Sequence, residues 1–226
     1  MVDKAKTLYV IDQILSVGGV GVALFWSAGR LNWWPAWAAI AIWVVFFIAM
    51  DLFLRFKPEL IAERLSPPKG AKTWDRTILS FLRLLQLARY ILAGLDLRFG
   101  WTEGFPISVQ ILAIFLCLLG YALLIWAMIS NNFFSQVMRI QSDRGHTVET
   151  SGPYRFVRHP AYVGMILFEI AMSILLDSWW SLLAGGVCVL LIVLRTALED
   201  RTLKKELTAY DLYSRQVRFR LIPGVW

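Results

Sequence analysis

Six apolar runs divide the chain, at residues 8–29, 36–54, 78–95, 107–130, 162–176 and 179–194. A bilayer core asks for about 20 apolar residues of helix, with a tolerated range of roughly 17–25. The first, second and fourth runs meet that length unaided. The last two are short and are separated only by Leu176-Asp-Ser178, which predicts one helical hairpin. Trp179 and Trp180 edge its tip, where aromatic rings prefer the membrane interface. Asn32-Trp-Trp-Pro35 predicts a short outer turn and a helix start at the proline. Glu169 lies inside the fifth run, so it is expected to face protein.

The third run is ambiguous because Arg83, Gln86 and Arg89 interrupt it. At helical spacing these three drift slowly around one side, leaving Leu82, Leu85 and Leu92 for the other. Such a helix either lies flat or spans with its polar stripe turned inward. Charge decides. If all six runs span with both termini inside, nineteen Lys and Arg fall on the inner side and only Arg30 and Arg98 on the outer. If the third run does not span, the six basic residues from Arg55 to Arg76 land opposite the C-terminus. The positive-inside bias selects six spans, with the termini cytoplasmic. Arg83 and Arg89 are then both expected to face protein or a polar cavity. Lys57-Pro58 and Ser66-Pro-Pro-Lys-Gly70 mark an inner loop, with a short surface helix over 59–65.

Composition agrees. The 226 residues are 58% hydrophobic with a mean hydropathy of +0.59, above the roughly half-apolar average of soluble domains. A net charge of +7 raises nucleic acid as a partner. The basic residues sit in gaps between apolar runs rather than along one face, so no nucleic acid is expected. Cys117 and Cys188 both lie in apolar runs, which argues against a disulfide framework, and two His make a metal site unexpected. Asp12 and Gln13 interrupt the first run without a cleavage motif, so it reads as a spanning helix and not a removable signal. The expected fold is all-α and polytopic, a single membrane domain: 1–130 forms the N-terminal helices and 131–226 the polar half. The bacterial inner membrane is the expected location.

Candidate chemistry is confined to the inner side. Ser151-Gly-Pro-Tyr-Arg-Phe-Val-Arg-His-Pro-Ala-Tyr162 brings Arg155, Arg158 and His159 together just before a helix. Pro160 suits the first helical turn, and the N–H groups there offer a seat for a carboxylate or phosphate. A basic loop made only for topology is the competing interpretation. Arg195 and Glu199 are four apart and share a helical face. They read either as a surface ion pair or as a guanidinium fork and a carboxylate for a ligand. Glu199 to Glu206 also reads as an ordinary solvated helix. His159 and His146 are each a candidate acid–base group or a structural residue, with a ring-to-carbonyl bond expected of His159. Tyr154 and Tyr162 are interface anchors or stacking partners for a flat ring.

The stretch from Gln141 to Trp226 resembles the catalytic half of the isoprenylcysteine carboxyl methyltransferases. The matching parts are His146-Thr-Val-Glu149, Gly152-Pro-Tyr154, Arg158-His-Pro-Ala-Tyr162, the hairpin and Arg195-x3-Glu199. Tyr210-x2-Tyr213 and Arg220-Leu-Ile-Pro223 complete them. The resemblance implies S-adenosylmethionine bound without a Rossmann fold, and methyl transfer to a lipophilic or lipidated acceptor, a carboxylate, with membrane lipid as a further partner. It implies a cofactor pocket of Gln141, His146, Thr147, Val148, Glu149, Tyr154, His159, Pro160, Ala161, Tyr162 and Glu199. Arg195, Glu199 and Arg220 would form the catalytic set, with Arg195 orienting the acceptor. Glu149 stands where the family has an apolar residue, and the N-terminal helices carry no recognisable prenyl-binding pattern. Rival readings are a phospholipid amine methyltransferase, an NADPH-dependent sterol-reductase-like enzyme, and a non-catalytic membrane protein.

Overall fold

The computed structural model describes residues 2–55, 57, 60, 61, 63 and 70–226. Among them are seven helices and no strand. These are α1 (Val2–Ala28), α2 (Trp34–Leu54), α3 (Thr73–Phe99), α4 (Ile107–Ser130), α5 (Pro160–Leu175), α6 (Trp179–Glu206) and α7 (Tyr210–Gln216). Five of them, α1 to α4 and α6, are long and apolar enough to cross a membrane, while α5 is a shorter apolar helix of 16 residues. The 59–65 surface helix falls largely outside the described residues.

The third run is a full-length helix, beginning five residues before its apolar stretch. Its two arginines part ways: Arg89 is fully buried, whereas Arg83 is exposed. The expectation that both face protein therefore fails at Arg83. At 3.6 residues per turn the six-residue gap rotates them about 120° apart, so only one can lie in the interface. Arg89 pairs with Glu169 of α5 at 2.5 Å, and Gln86 donates to the same carboxylate at 2.7 Å. Glu169 faces protein as its sequence position requires.

Small residues set the closest approaches. Gly120 of α4 and Gly164 of α5 face each other, and a Cβ on Gly120 would stand 2.6 Å from the Gly164 carbonyl oxygen. Such contacts let helices pack by dispersion where lipid leaves little hydrophobic driving force. Trp43, Phe46, Tyr121 and Phe168 fill the centre, with Phe46 stacked on Tyr121 at 4.0 Å. α3 packs against both α1 and α6 and so ties the N-terminal helices to the closing hairpin.

The hairpin tip is clasped at the far end. The Asp96 carboxylate accepts from Thr102 N–H at 3.0 Å and from the Thr102 and Ser178 hydroxyls at 2.6 Å each. Asp177 sits at φ 62 and accepts from Phe105 N–H. Trp179 and Trp180 are exposed there, beside Trp101. α6 runs through Glu206 without a break, which places Arg195 and Glu199 inside one continuous helix.

Candidate active site

A cavity of about 390 Å³ opens at the other end of the bundle, within the roughly 300–1,000 Å³ of small-ligand sites. It gathers the start of α1, the end of α2, the start of α3, the end of α4, the start of α5 and the end of α6. Alternating helix directions put all of these on one side. The polar loop between α4 and α5 and the segment after α6 close over it.

His146, Thr147, Val148, Glu149, Tyr154, His159, Pro160, Ala161, Tyr162, Arg195 and Glu199 all line this cavity. Two candidates stand behind its wall. Gln141, fully buried, donates its side-chain amide to Phe133 carbonyl at 2.6 Å and accepts from Arg144 at 2.5 Å. Arg220 turns to Asp200 at 3.0 Å and over the Trp226 ring at 4.7 Å.

Arg195 and Glu199 do not pair with each other. Arg195 is 5% exposed and places Nε 2.6 Å and Nη2 3.3 Å from the Asp75 carboxylate of α3, with Nη2 also 3.0 Å from the Gln136 carbonyl. Its guanidinium lies 5.2 Å above the Tyr162 ring. Glu199 accepts the Tyr162 hydroxyl. A surface ion pair is thus the wrong description, because helix α3 supplies a competing carboxylate that is wholly buried. Asp75 also accepts from Met138 N–H at 2.6 Å, so one carboxylate fixes both Arg195 and the loop entering the cavity.

Asp200 is the second anchor that sequence reading missed. It looked like part of a solvated helix, yet it is 1% exposed. Arg158 meets it at 2.7 and 3.2 Å, Tyr210 donates at 3.0 Å, and His159 Nε2 lies 3.5 Å away. Arg158 further donates to the Val217 and Arg218 carbonyls at 2.8 Å each. His159 Nδ1 is 3.7 Å from Glu199, so its ring neighbours are carboxylates and a phenol, not the expected backbone carbonyl. The sequence offered only an acidic residue next to Glu199; its burial and its Arg158-His159 partners came from packing.

The tail is held by backbone as well. Arg158 N–H donates to the Phe219 carbonyl at 3.0 Å and His159 N–H to that of Arg220 at 2.9 Å. The anion seat suggested at the start of α5 is mostly closed, since Tyr162 and Val163 N–H return to the His159 carbonyl. Gly152 adopts φ +54, and a side chain there would collide with Ser130, so the Gly-Pro-Tyr turn needs glycine. Tyr154 is buried beneath that turn, its carbonyl accepting from Tyr213 hydroxyl at 2.7 Å. Tyr154 and Tyr162 are therefore interior residues. Arg155 is exposed.

His146 stacks on Phe133 at 4.7 Å, and its Nδ1 accepts from Gln141 N–H at 3.2 Å. Burial, then the nearby Arg139 and Arg144, push its pKa below the ordinary value of 6.5. The Arg139 guanidinium, 2.6 Å away, holds the Glu63 carboxyl below its usual range.

Residues 112–205 match the model described as the isoprenylcysteine carboxyl methyltransferase (ICMT) family. The match covers under half of the chain, from α4 to the end of α6. Among curated proteins no match is found. The matched stretch contains both the loop and the hairpin that enclose the cavity, so the part of this membrane chain that builds the site is similar to the isoprenylcysteine carboxyl methyltransferase family.

Proposed function

We propose that the cavity binds S-adenosylmethionine and presents its methyl group to the head of a lipophilic acceptor at the cytoplasmic face. The observation that carries this reading is the convergence of Glu149, Glu199, Arg195, two histidines and buried aromatic rings on one cavity whose remaining walls mix apolar side chains with polar and charged ones. That donor set suits a zwitterionic nucleoside. Carboxylates can accept from its ammonium and ribose hydroxyls, a guanidinium can meet its carboxylate, and Phe133, Tyr154 and His146 offer faces to a purine.

When bound, S-adenosylmethionine supplies a methyl group already activated on a sulfonium, so alignment and exclusion of water matter more than proton transfer. Glu199, held by Tyr162, would fix the cofactor. Arg195, held by Asp75, would bound the acceptor side. Arg158 and Asp200 would keep the tail closed over both. The nineteen inner basic residues support the cytoplasmic placement.

Calorimetric titration of the detergent-solubilised protein with S-adenosylhomocysteine tests the reading. Glu199→Gln is expected to weaken binding about tenfold or more, the scale of one charge-assisted hydrogen bond, and Arg195→Ala clearly less. Absent binding, or binding of NADPH in its place, would refute it.

A further inference from the structure

The cavity is charged unevenly. Its three lining guanidiniums are each held by a carboxylate: Arg139 by Glu63 at 2.6 Å, Arg158 by Asp200 at 2.7 Å and Arg195 by Asp75 at 2.6 Å. Its three lining carboxylates, Asp12, Glu149 and Glu199, have no Lys or Arg partner among the described residues. Glu149 accepts from Thr150 and Ser151 N–H, and Glu199 from Tyr162.

Asp12 stands apart from these, on α1. Gln13 beside it also lines the cavity, is only 7% exposed, and commits its amide nitrogen to Asp51 of α2 at 3.1 Å. Among the described residues, what α1 and α2 give the cavity is a carboxylate, an amide, and the rings of Tyr9, Phe46 and Phe47, with Met50, and no cation. These residues lie outside the stretch that matches the family. Carboxylates and ring faces favour cations. A carboxylate head would meet Asp12 on one side and, on the other, a guanidinium already neutralised by Asp75.

Resting on the cofactor reading above, we propose that the acceptor is a lipophilic amine, methylated on nitrogen, and not the carboxylate that the family likeness suggests. The ammonium form would be drawn to the Asp12 side of the cavity. Reaction requires the free amine, so the proton leaves first, to Asp12 and on to water, since Asp12 is exposed. The nitrogen lone pair then forms the N–C bond as the C–S bond breaks, and sulfur keeps the electron pair. The products are the N-methylammonium, S-adenosylhomocysteine and the one proton released before the attack.

The test uses two probes with one tail, octylamine and octanoate, titrated at neutral pH into the full chain in uncharged detergent, with and without S-adenosylhomocysteine. Octylamine is expected to bind about tenfold tighter or more, the scale of one gained and one avoided charge contact. Asp12→Asn should erase most of that preference and leave S-adenosylhomocysteine affinity unchanged. Asp75→Asn, by freeing Arg195, should shift the preference toward octanoate. Equal or tighter octanoate binding overturns the proposal, as does an amine preference that survives Asp12→Asn. Failure of S-adenosylhomocysteine to bind would instead defeat the cofactor reading, and the probe titration would still report on the amine. As a second measurement, label transferred from S-adenosylmethionine to a host-lipid extract should resist alkali. Its release as methanol would mark an ester and overturn the proposal.

Discussion

Replacing Asp75 by Asn removes one negative charge from a place where both partners are out of water. Asp75 is wholly buried and Arg195 is 5% exposed, joined at 2.6 and 3.3 Å. Breaking a buried pair from one side costs about 3–5 kcal/mol, because the surviving charge loses its counter-ion. Two features moderate the loss. Asn can still accept one hydrogen bond from Arg195, and Glu199, one turn away on α6, offers an alternative carboxylate. Turning toward it would pull Glu199 from Tyr162 and disturb the side of the cavity proposed for the cofactor. The Met138 N–H bond to Asp75 at 2.6 Å weakens at the same time, loosening the loop. We expect about 3 kcal/mol of destabilisation, which at roughly 2–4 °C per kcal/mol for a chain this size lowers Tm by about 6–12 °C. Tryptophan-fluorescence melting in detergent, with and without S-adenosylhomocysteine, measures both effects. The double variant Asp75→Leu/Arg195→Met should recover much of the Tm and, with Glu199 left on Tyr162, most of the S-adenosylhomocysteine binding. A single variant within about 2 °C of the parent would refute the claim that this pair is buried and joined.

Three further outcomes follow from the same geometry. Glu169→Leu leaves Arg89 uncompensated in the membrane interior and should cost about 3–5 kcal/mol; Arg89→Met/Glu169→Leu should cost less than either single change, read as Tm in one detergent. His146 has a lowered pKa in the fold, so its neutral form is favoured there. The stability it contributes is complete above 6.5 and is lost as pH falls through the lower folded value; His146→Asn should flatten that acid limb of Tm against pH. Gly164→Leu forces a side chain against α4 at Gly120 and should cost about 1–3 kcal/mol or more, seen as reduced yield and Tm, while Gly186→Leu, in open space, should not.

Much of the fold was written in hydropathy alone. A bilayer leaves no water for backbone N–H and C=O groups, so each apolar run has to become a helix. The Leu176–Ser178 interval then has to be a turn. Charge asymmetry fixed the remaining ambiguity at the third run. The polar loop, Arg195 and Glu199 could likewise be located along the chain, because polar residues at the end of a membrane helix cluster on one side of the bundle by topology. What the sequence could not say is which charge meets which. The partner of Arg195 is 120 positions away, on Asp75, and that of Glu169 is 80 away, on Arg89. Helical spacing gives the angles between residues on one helix, but not the rotation of that helix against its neighbours. For that reason Arg83 and Arg89 looked alike and were separated only by packing. Asp200 looked solvated until α7 and the tail folded over it, and Asp12, an interruption in an apolar run, became a wall of the cavity only when α1 came to rest beside the polar loop.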